Sequence, residues 1–445
     1  MLDKPNIYLI GIGGIGMSAL ARYFKQSGRK VAGYDRYRSP LCETLEAEGM
    51  KIHYEDNISL IPKKFSPEES LIIYTPAIPE DHQELNYFKA NSYSLIKRAK
   101  VLGEIAQNHR CLAIAGTHGK TTTSTLLAHL FRQADIEVSA FLGGISTNYQ
   151  SNFWGSKDTD LVIVEADEYD RSFLNLKPNA AAITSTDADH LDIYGEAESL
   201  TATFKDFADS VQDFLLLNED AGLEGALKYG FANQNSFYAD NVSVVEHQYH
   251  FDLVHPQGRI QDIAMLLPGR HNVENAIAAG ALGLRYGLSE EQVKQGLENF
   301  KGVKRRFEYH IQQQDLIYID DYAHHPKEIK ALYESVRELY PKRRITAIFQ
   351  PHLYSRTRDF MDDFAASLSP FDEIILLDLY PARERPIAGV NSSALLEKID
   401  SPNKSLLARQ EILSRFSSEK PELVISIGAG DIDQIIGPLK LALLK

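Results

Sequence analysis

Short continuous apolar runs alternate with amphipathic stretches along most of the chain. This is the pattern of parallel strands buried on both faces and joined by helices. Asn6–Ile10 is the first such run, followed by the turn Gly11-Ile-Gly13-Gly14-Ile15-Gly16 and a helix through Met17 and Leu20. Further strands are predicted over Lys30–Tyr34 and over Ser70–Ile78, the latter running into a loop, and a short helix over Lys97–Ala106 closes the first segment. The next run, Cys111–Ala115, leads through Gly116-Thr117-His118-Gly119-Lys120-Thr121-Thr122 into Leu126, Leu127, Leu130 and Phe131 at helical spacing. Asp160–Val164, Ala180–Thr186 and Asp213–Asn218 read as strands, whereas residues 236–267 switch to period-2 patches such as Tyr249–Val254, which suggest antiparallel strands. Pro268-Gly269 punctuates the start of a small-residue helix at Ala276, and the stretch Phe300–Phe307 breaks the pattern again. Beyond it, Leu316–Asp321, Ile345–Phe349, Glu373–Asp378 and Leu423–Gly428 each end in a polar or glycine-containing loop.

This order predicts an α/β protein of three domains. They are a Rossmann-like domain over 1–106, a central P-loop ATPase-type α/β domain with some antiparallel strands over 107–302, and a second Rossmann-like domain over 303–445. The length of 445 residues agrees, since a chain this long exceeds one small core.

Composition narrows the function. There are 47 Lys and Arg against 61 Asp and Glu, a formal charge of −14, which argues against non-specific binding to nucleic acid or an anionic membrane surface. Attraction for an anionic substrate must then come from loops, helix ends and individual cations. The two cysteines, Cys42 and Cys111, lie in different segments, so neither a disulfide framework nor a cysteine metal cage is expected. The start of the sequence carries no signal-peptide pattern and no uninterrupted apolar span follows, so a cytoplasmic location without membrane insertion is expected, as a monomer or weak homodimer.

The chemistry gathers at the strand ends. Backbone N–H groups of a glycine loop at a helix N-terminus face anionic oxygens, Lys120 can reach outer phosphates, and the Thr121 hydroxyl is placed for Mg²⁺. The strict phosphate-loop spacing is not met, because Ile114 stands at the first glycine position and Gly116 supplies the turn. Glu165 closes a buried strand, where few carboxylates, waters and phosphate oxygens suit Mg²⁺. Asp167, Glu168 and Asp170 follow it and read individually as a solvated acidic turn. His190 lies among acids past another strand end, either a metal or phosphate neighbour or a loop histidine capped by a carboxylate. Asn272 and Asn275 sit at a helix start, where they could cap the backbone or recognise an adenine edge. Asp35 falls roughly twenty residues past the first glycines, the position of a ribose-binding acid in dinucleotide folds. Arg356 and Arg358 could fork onto a carboxylate or phosphate. These residue types support an ATP- and Mg²⁺-dependent enzyme with a second anionic ligand in the first domain. They do not separate ATP hydrolysis, phosphoryl transfer to an alcohol and carboxylate activation.

The ordered blocks GIGGIGMSALA, AGTHGKTTT, EADE, DADHLDIYG, GRHNVENAIAA, KRRFE, DDYAHHPKEI, FQPHLYSRT, DLYPARERP and GAGDI resemble the Mur ligase family over essentially the whole chain. The last five blocks in that order are more specific than either glycine loop. The resemblance implies a ligase in which the lactyl carboxylate of UDP-N-acetylmuramate takes the γ-phosphoryl group of ATP and the amine of L-alanine then displaces phosphate. It implies that Gly11, Gly13, Gly14, Ile15 and Gly16 hold the pyrophosphate of the nucleotide sugar, with Asp35, Thr75 and Ala77 nearby. Gly116, Thr117, His118, Gly119, Lys120, Thr121 and Thr122 would hold the ATP phosphates, with Thr121 and Glu165 on one Mg²⁺ and His190 helping to bind a second. Asn272 and Asn275 would meet the adenine, Arg306 and Asp321 would close over ATP, and His324, His325, His352 and Arg356 would line the amino-acid pocket.

Two positions depart from the family's pattern. Leu353 stands where Arg often follows the histidine of the Q-P-H block, which shifts the expected carboxylate contact to Arg356. Phe204 stands where sister ligases carry a carbamoylated lysine, with Lys205 one position off, so no such modification is expected. A related recycling ligase that attaches a preformed tripeptide to the same nucleotide sugar is the alternative within the family; an NAD-dependent oxidoreductase and a non-catalytic nucleotide switch are the alternatives outside it.

Overall fold

The computed structural model describes residues 2–155, 159–187, 197–382 and 384–445, so that His190 and Arg383 lie outside the described residues. The architecture is α/β with three sheets. The first sheet runs in the order Lys51–His53, Lys30–Tyr34, Asn6–Ile10, Ser70–Tyr74 and Ser94–Lys97, with every neighbour parallel. Strand order reverses at Asn6–Ile10, and the crevice beyond the carboxyl ends of such strands is where open α/β sheets bind ligands. Alternation within that one strand serves two cores, since Ile7 and Leu9 pack on one side and Tyr8 and Ile10 on the other.

The second sheet has ten strands. Arg110–Ala115 lies between Ala180–Ile183 and Leu161–Glu165, parallel to both. A hairpin of Ser139–Ser146 and Ser151–Trp154 extends this end, with Ser139–Ser146 parallel to Leu161–Glu165. At the other end come Phe214–Asn218, Leu227–Gly230 and the three successive strands Phe237–Val245, Gln248–His255 and Gly258–Met265, which account for the period-2 segment. The third sheet runs Glu308–Gln312, Ile317–Asp321, Leu423–Ile427, Ile345–Phe349, Glu373–Leu376 and Lys404–Leu406, parallel throughout except for its first pair.

Packing groups the chain into two compact units: Met1–Asp240 with Leu253–Ile260 and Glu274–Leu297, and Asn241–Asp252 with Gln261–Val273 and Glu298–Lys445. In the first unit one apolar core runs from Ile7 and Leu9 through Phe141 and Phe153 to Val162 and Phe204. A buried polar joint reinforces it. The Asn152 amide donates to the Ile15 carbonyl at 2.6 Å and to the Ser18 hydroxyl at 3.0 Å, while its oxygen accepts from Arg22. Arg22 also reaches Glu48 at 2.8 and 2.9 Å. A buried amide is stable only when its polar atoms are paired, so these bonds fix the helix Ile15–Gln26 against the hairpin. Among the described residues, no helix is long and apolar enough to cross a membrane.

In the helix Ala197–Asp209, Phe204 is fully buried, edge-on to Phe173 at 5.3 Å, and Lys205 is exposed. The lysine therefore points away from the position that the departure from the sister ligases concerns. Truncating Phe204 to alanine is expected to cost about 3–5 kcal/mol, the usual loss for a buried aromatic. Lys205→Ala is expected to stay within about 0.5 kcal/mol. Denaturant midpoints of the two variants check both, and equal midpoints would contradict this packing.

Candidate active site

The strand Arg110–Ala115 delivers the chain into a loop whose shape depends on two glycines. Gly116 has φ +127° and a β-carbon there would lie 2.2 Å from the Thr184 hydroxyl. Gly119 has φ +80° and immediately precedes the helix Lys120–Gln133. Side chains from the next strand brace the loop, as the Ser185 hydroxyl accepts from the His118 N–H at 2.8 Å and pairs with Thr117 at 2.8 Å. The Thr123 hydroxyl donates to Asn275 at 2.9 Å, which ties the helix Arg270–Arg285 to the loop helix.

Lys120 folds back across this loop. Its ammonium donates to the Gly116 carbonyl at 2.5 Å and to one Glu168 oxygen at 2.8 Å, and forms an ion pair with the other at 2.7 Å. Glu168 is fully buried. Burial alone would lower the lysine's pKa, but the carboxylates of Glu168, Asp167 and Glu165 outweigh it and the net direction is up. Lys120 is therefore a fixed cation at neutral pH. Beside it, the Thr121 hydroxyl donates to Glu165 at 3.0 Å, and the other Glu165 oxygen accepts the Gly143 N–H at 3.0 Å. A β-carbon at 143 would sit 2.3 Å from that carboxylate, so the hairpin approaches this closely only through glycine. Thr121 and Glu165 together present hard oxygens to one point, and no cluster of three acidic, histidine or cysteine residues exists among the described residues. Two protein oxygens suit Mg²⁺, which keeps waters and binds phosphate oxygens as well, so the set fits that ion.

In the first sheet, Asp35 turns inward to accept the Gly13 N–H at 2.7 Å. It shapes the glycine turn. Gly11 adopts φ +85°, a left-handed conformation that glycine tolerates. A cavity of about 370 Å³ opens from this turn and is lined by Gly14, Ile15, Gly16, Thr75 and Ala77 at one side and by Gly143, Glu165 and Asp167 at the other. The first glycine turn and Glu165 thus face one continuous space within a single compact unit.

In the second unit, the Asp321 carboxylate accepts the N–H groups of Phe307 and Ala323, both at 2.7 Å, and holds a turn in which Arg305 and Phe307 have positive φ. Burial raises its pKa to about 6, against the pull of Arg306 and those two N–H groups. Arg306 lies 3.8 Å from Glu328 and over the ring of Tyr322. Glu328 also accepts the backbone N–H groups of His324 and His325 at 2.9 and 3.2 Å. His325 caps the helix Pro326–Leu339 by accepting the Lys327 N–H at 3.3 Å, and its ring packs on Phe360. His324 faces His352 at 6.4 Å between ring centres, and His352 stacks on Tyr380. Burial, with the positive charges of Arg356 and Arg306, lowers the His324 pKa to about 4. Arg356 is buried in the short helix Tyr354–Asp359, after a Leu353 held at φ +70°. Asn272 donates to the Pro268 carbonyl at 2.6 Å, which ties the start of its helix to the preceding loop.

Comparison with known proteins accords with this geometry. Residues 6–110, 114–283 and 305–430 match, in turn, the models of the Mur ligase family catalytic domain, the Mur ligase middle domain and the Mur ligase glutamate ligase domain. The chain belongs to the Mur ligase family. It is 50% identical over 98% of its length to the UDP-N-acetylmuramate–L-alanine ligase of Flavobacterium psychrophilum, covering 97% of that protein. It is 48% identical over 99% of its length to the enzyme of that name from Parabacteroides distasonis, again covering 97%. The crystal structure of the UDP-N-acetylmuramate–alanine ligase of Thermotoga maritima superposes with a TM-score of 0.82 at 25% identity, over 99% of this chain and 98% of that one. A murein peptide ligase from Psychrobacter arcticus shares the fold, with a TM-score of 0.72 at 23% identity, over 98% of each chain.

Within this Mur ligase the site departs from the sequence reading at Glu168. It is the buried partner of Lys120 and not part of a solvated acidic turn. The cap at His325 was also legible, since His-Pro-Lys-Glu places Pro at the first helical position and Glu at the third. His190 lies outside the described residues.

Asp321 yields a pH prediction. Its folded pKa of about 6 stands above its ordinary 3.8, so its stabilising contribution is complete below about pH 4 and is lost as pH rises through 6. The stability of the protein relative to Asp321→Asn should therefore fall between pH 4 and 7 in chemical denaturation. A constant difference across that window would contradict the burial of this carboxylate.

Proposed function

We propose that the chain is an ATP-dependent ligase that forms an amide between the carboxylate of UDP-N-acetylmuramate and L-alanine, in cytoplasmic peptidoglycan precursor synthesis. The observation that carries the reading is the single cavity bounded by the Gly14–Gly16 turn and by Glu165. A nucleotide sugar seated on the turn directs its carboxylate toward the place where Lys120, Thr121 and Glu165 receive the outer phosphates of ATP. The chain's near-full-length identity with L-alanine ligases supports the choice of amine. We assign the sugar nucleotide to residues 1–106, ATP to 107–302 and the amino acid to 303–445.

A carboxylate oxygen is a poor leaving group and phosphate a good one, so the carboxylate must first be phosphorylated. Lys120, held by Glu168 against the loop carbonyl, neutralises charge on the transferring phosphoryl group without moving during the reaction. Thr121 and Glu165 would hold Mg²⁺, which would supply further charge neutralisation on the phosphates. Asn275, bonded to Thr123, keeps the loop helix in register beside the adenine side of ATP. Arg356 supplies a permanent planar cation for the carboxylate of the amino acid. His324, held near pKa 4, is neutral at working pH and too weak a base to take a proton from an ammonium group; with His352 it orients the amine.

With ATP and UDP-N-acetylmuramate supplied, phosphate release is expected with L-alanine and not with a preformed tripeptide, and the product mass should equal the sugar nucleotide plus one alanyl residue. Activity with the tripeptide alone would replace this reading by the recycling one. Lys120→Ala should lower ligation about 100-fold or more while nucleotide-sugar binding stays within about two-fold. Near-normal ligation in that variant would remove Lys120 from the mechanism.

A further inference from the structure

The wall of the cavity between the first glycine turn and Glu165 carries two cations that the reaction above does not use. Lys97 and Arg98 stand at the start of the helix Arg98–Gln107, and both line this cavity. Arg98 lies so close to the glycine turn that a β-carbon on Gly16 would come within 2.8 Å of its guanidinium. Yet both cations are engaged elsewhere. Arg98 pairs with Asp167 at 3.5 Å and Lys97 with Asp170 at 3.8 Å. The two carboxylates belong to the segment that runs from Glu165 past the buried Glu168. That segment holds Asp170 and Arg171 at φ +53° and +52°, a conformation that residues with a β-carbon rarely adopt.

We propose that Asp167 and Asp170 are counter-ion gates. They hold Arg98 and Lys97 while the nucleotide-sugar seat is empty, and they yield them to the diphosphate of the incoming substrate. The inference rests on the assignment of a nucleotide sugar to the Gly14–Gly16 turn and adds the cations that read its diphosphate.

Relative strengths favour the exchange. The Arg98 and Asp167 side chains are 21% and 39% exposed, and those of Lys97 and Asp170 are 55% and 48% exposed. Ion pairs this accessible to water contribute little, because solvent screens them and long side chains lose freedom in forming them. A diphosphate at the helix N-terminus offers Arg98 several charge-assisted bonds at once, beside the open N–H groups of the first helical turn. A ligand that occupies the cavity without a diphosphate leaves both pairs intact and gains nothing from these cations, so the exchange selects for the diphosphate. The same segment carries Asp167 two residues from Glu165 and within electrostatic reach of Lys120. Seating of the sugar nucleotide thereby changes the charge beside the ATP loop.

The test is calorimetric titration of the full chain with UDP and, separately, with uridine. The variants are Asp167→Asn, Asp170→Asn, Arg98→Gln and the double variant Arg98→Gln/Asp167→Asn, with thermal melting to establish that each is folded. Asp167→Asn is expected to tighten UDP binding about two- to five-fold, the range of one exposed ion pair, and to leave uridine unchanged. Arg98→Gln should weaken UDP about ten-fold or more and leave uridine unchanged. The gain from Asp167→Asn should vanish in the Arg98→Gln background, which a purely structural role for Asp167 would not produce. Asp170→Asn provides the same reading through Lys97 if the Asp167 variant does not fold. Weaker or unchanged UDP binding in the aspartate variants, with normal binding by the unaltered chain, overturns the gate alone. Failure of the unaltered chain to bind UDP overturns the nucleotide-sugar assignment with it.

Discussion

A cation buried beneath a glycine loop must be paired, and that requirement organises the centre of this protein. The Lys120 ammonium is enclosed by the Gly116 carbonyl and by Glu168, a carboxylate with no exposure of its own. Removing either partner would leave the other as an uncompensated buried charge, which costs several kcal/mol, on the order of 3–5. The pair therefore dictates its neighbourhood. The chain must turn inward directly after the strand Leu161–Glu165 so that Glu168 reaches the lysine, and Gly116 must lack a side chain because a β-carbon there would strike Thr184 and Ser185. Glu165 is thereby left at the mouth of the loop, bonded to Thr121 and to the Gly143 N–H, where an ion bridging phosphates is useful.

The same economy runs through the first sheet. Asp35, at the spacing of a ribose-binding acid, secures the Gly13 turn. Asn152 then locks the helix leaving that turn against the hairpin of the second sheet. The first glycine turn and Glu165, at the end of a strand of the second sheet, consequently share one cavity. The reaction proposed for this member of the Mur ligase family needs that sharing, because a carboxylate on one nucleotide must meet the terminal phosphoryl group of another away from water. In the second unit, Glu328 has the corresponding organising role. It fixes the backbone of His324 and His325 and lies beside Arg306, so one carboxylate sets the loop, the helix cap and a cation.

Sequence pattern made the parallel strands and both glycine turns legible because each is a continuous apolar run ending in residues that only a turn accommodates. The α/β class, the three sheets and the strand ends that carry the chemistry all follow from that signal. The hairpin Ser139–Ser146 and Ser151–Trp154 escaped it, since its polar and glycine positions face other elements and give neither period clearly. The edge strands Glu308–Gln312 and Lys404–Leu406 are short and largely unburied, so they carry little apolar pattern. Glu168 was read as solvated because nothing in the chain near it reveals a lysine 48 residues away. His325 could have been recognised as a cap from its local motif, whereas the low pKa of His324 comes first from burial and then from Arg356 and Arg306, all of which tertiary structure supplies.

The central claim is that the Lys120 loop serves carboxylate activation. It is tested most directly by following oxygen. UDP-N-acetylmuramate labelled with heavy oxygen at both carboxylate positions would be ligated to L-alanine with unlabelled ATP, and the released inorganic phosphate analysed by mass spectrometry. Transfer of the γ-phosphoryl group to the carboxylate, followed by displacement by the amine, predicts one labelled oxygen in each phosphate and one retained in the amide. Unlabelled phosphate released alongside the amide product would contradict the account.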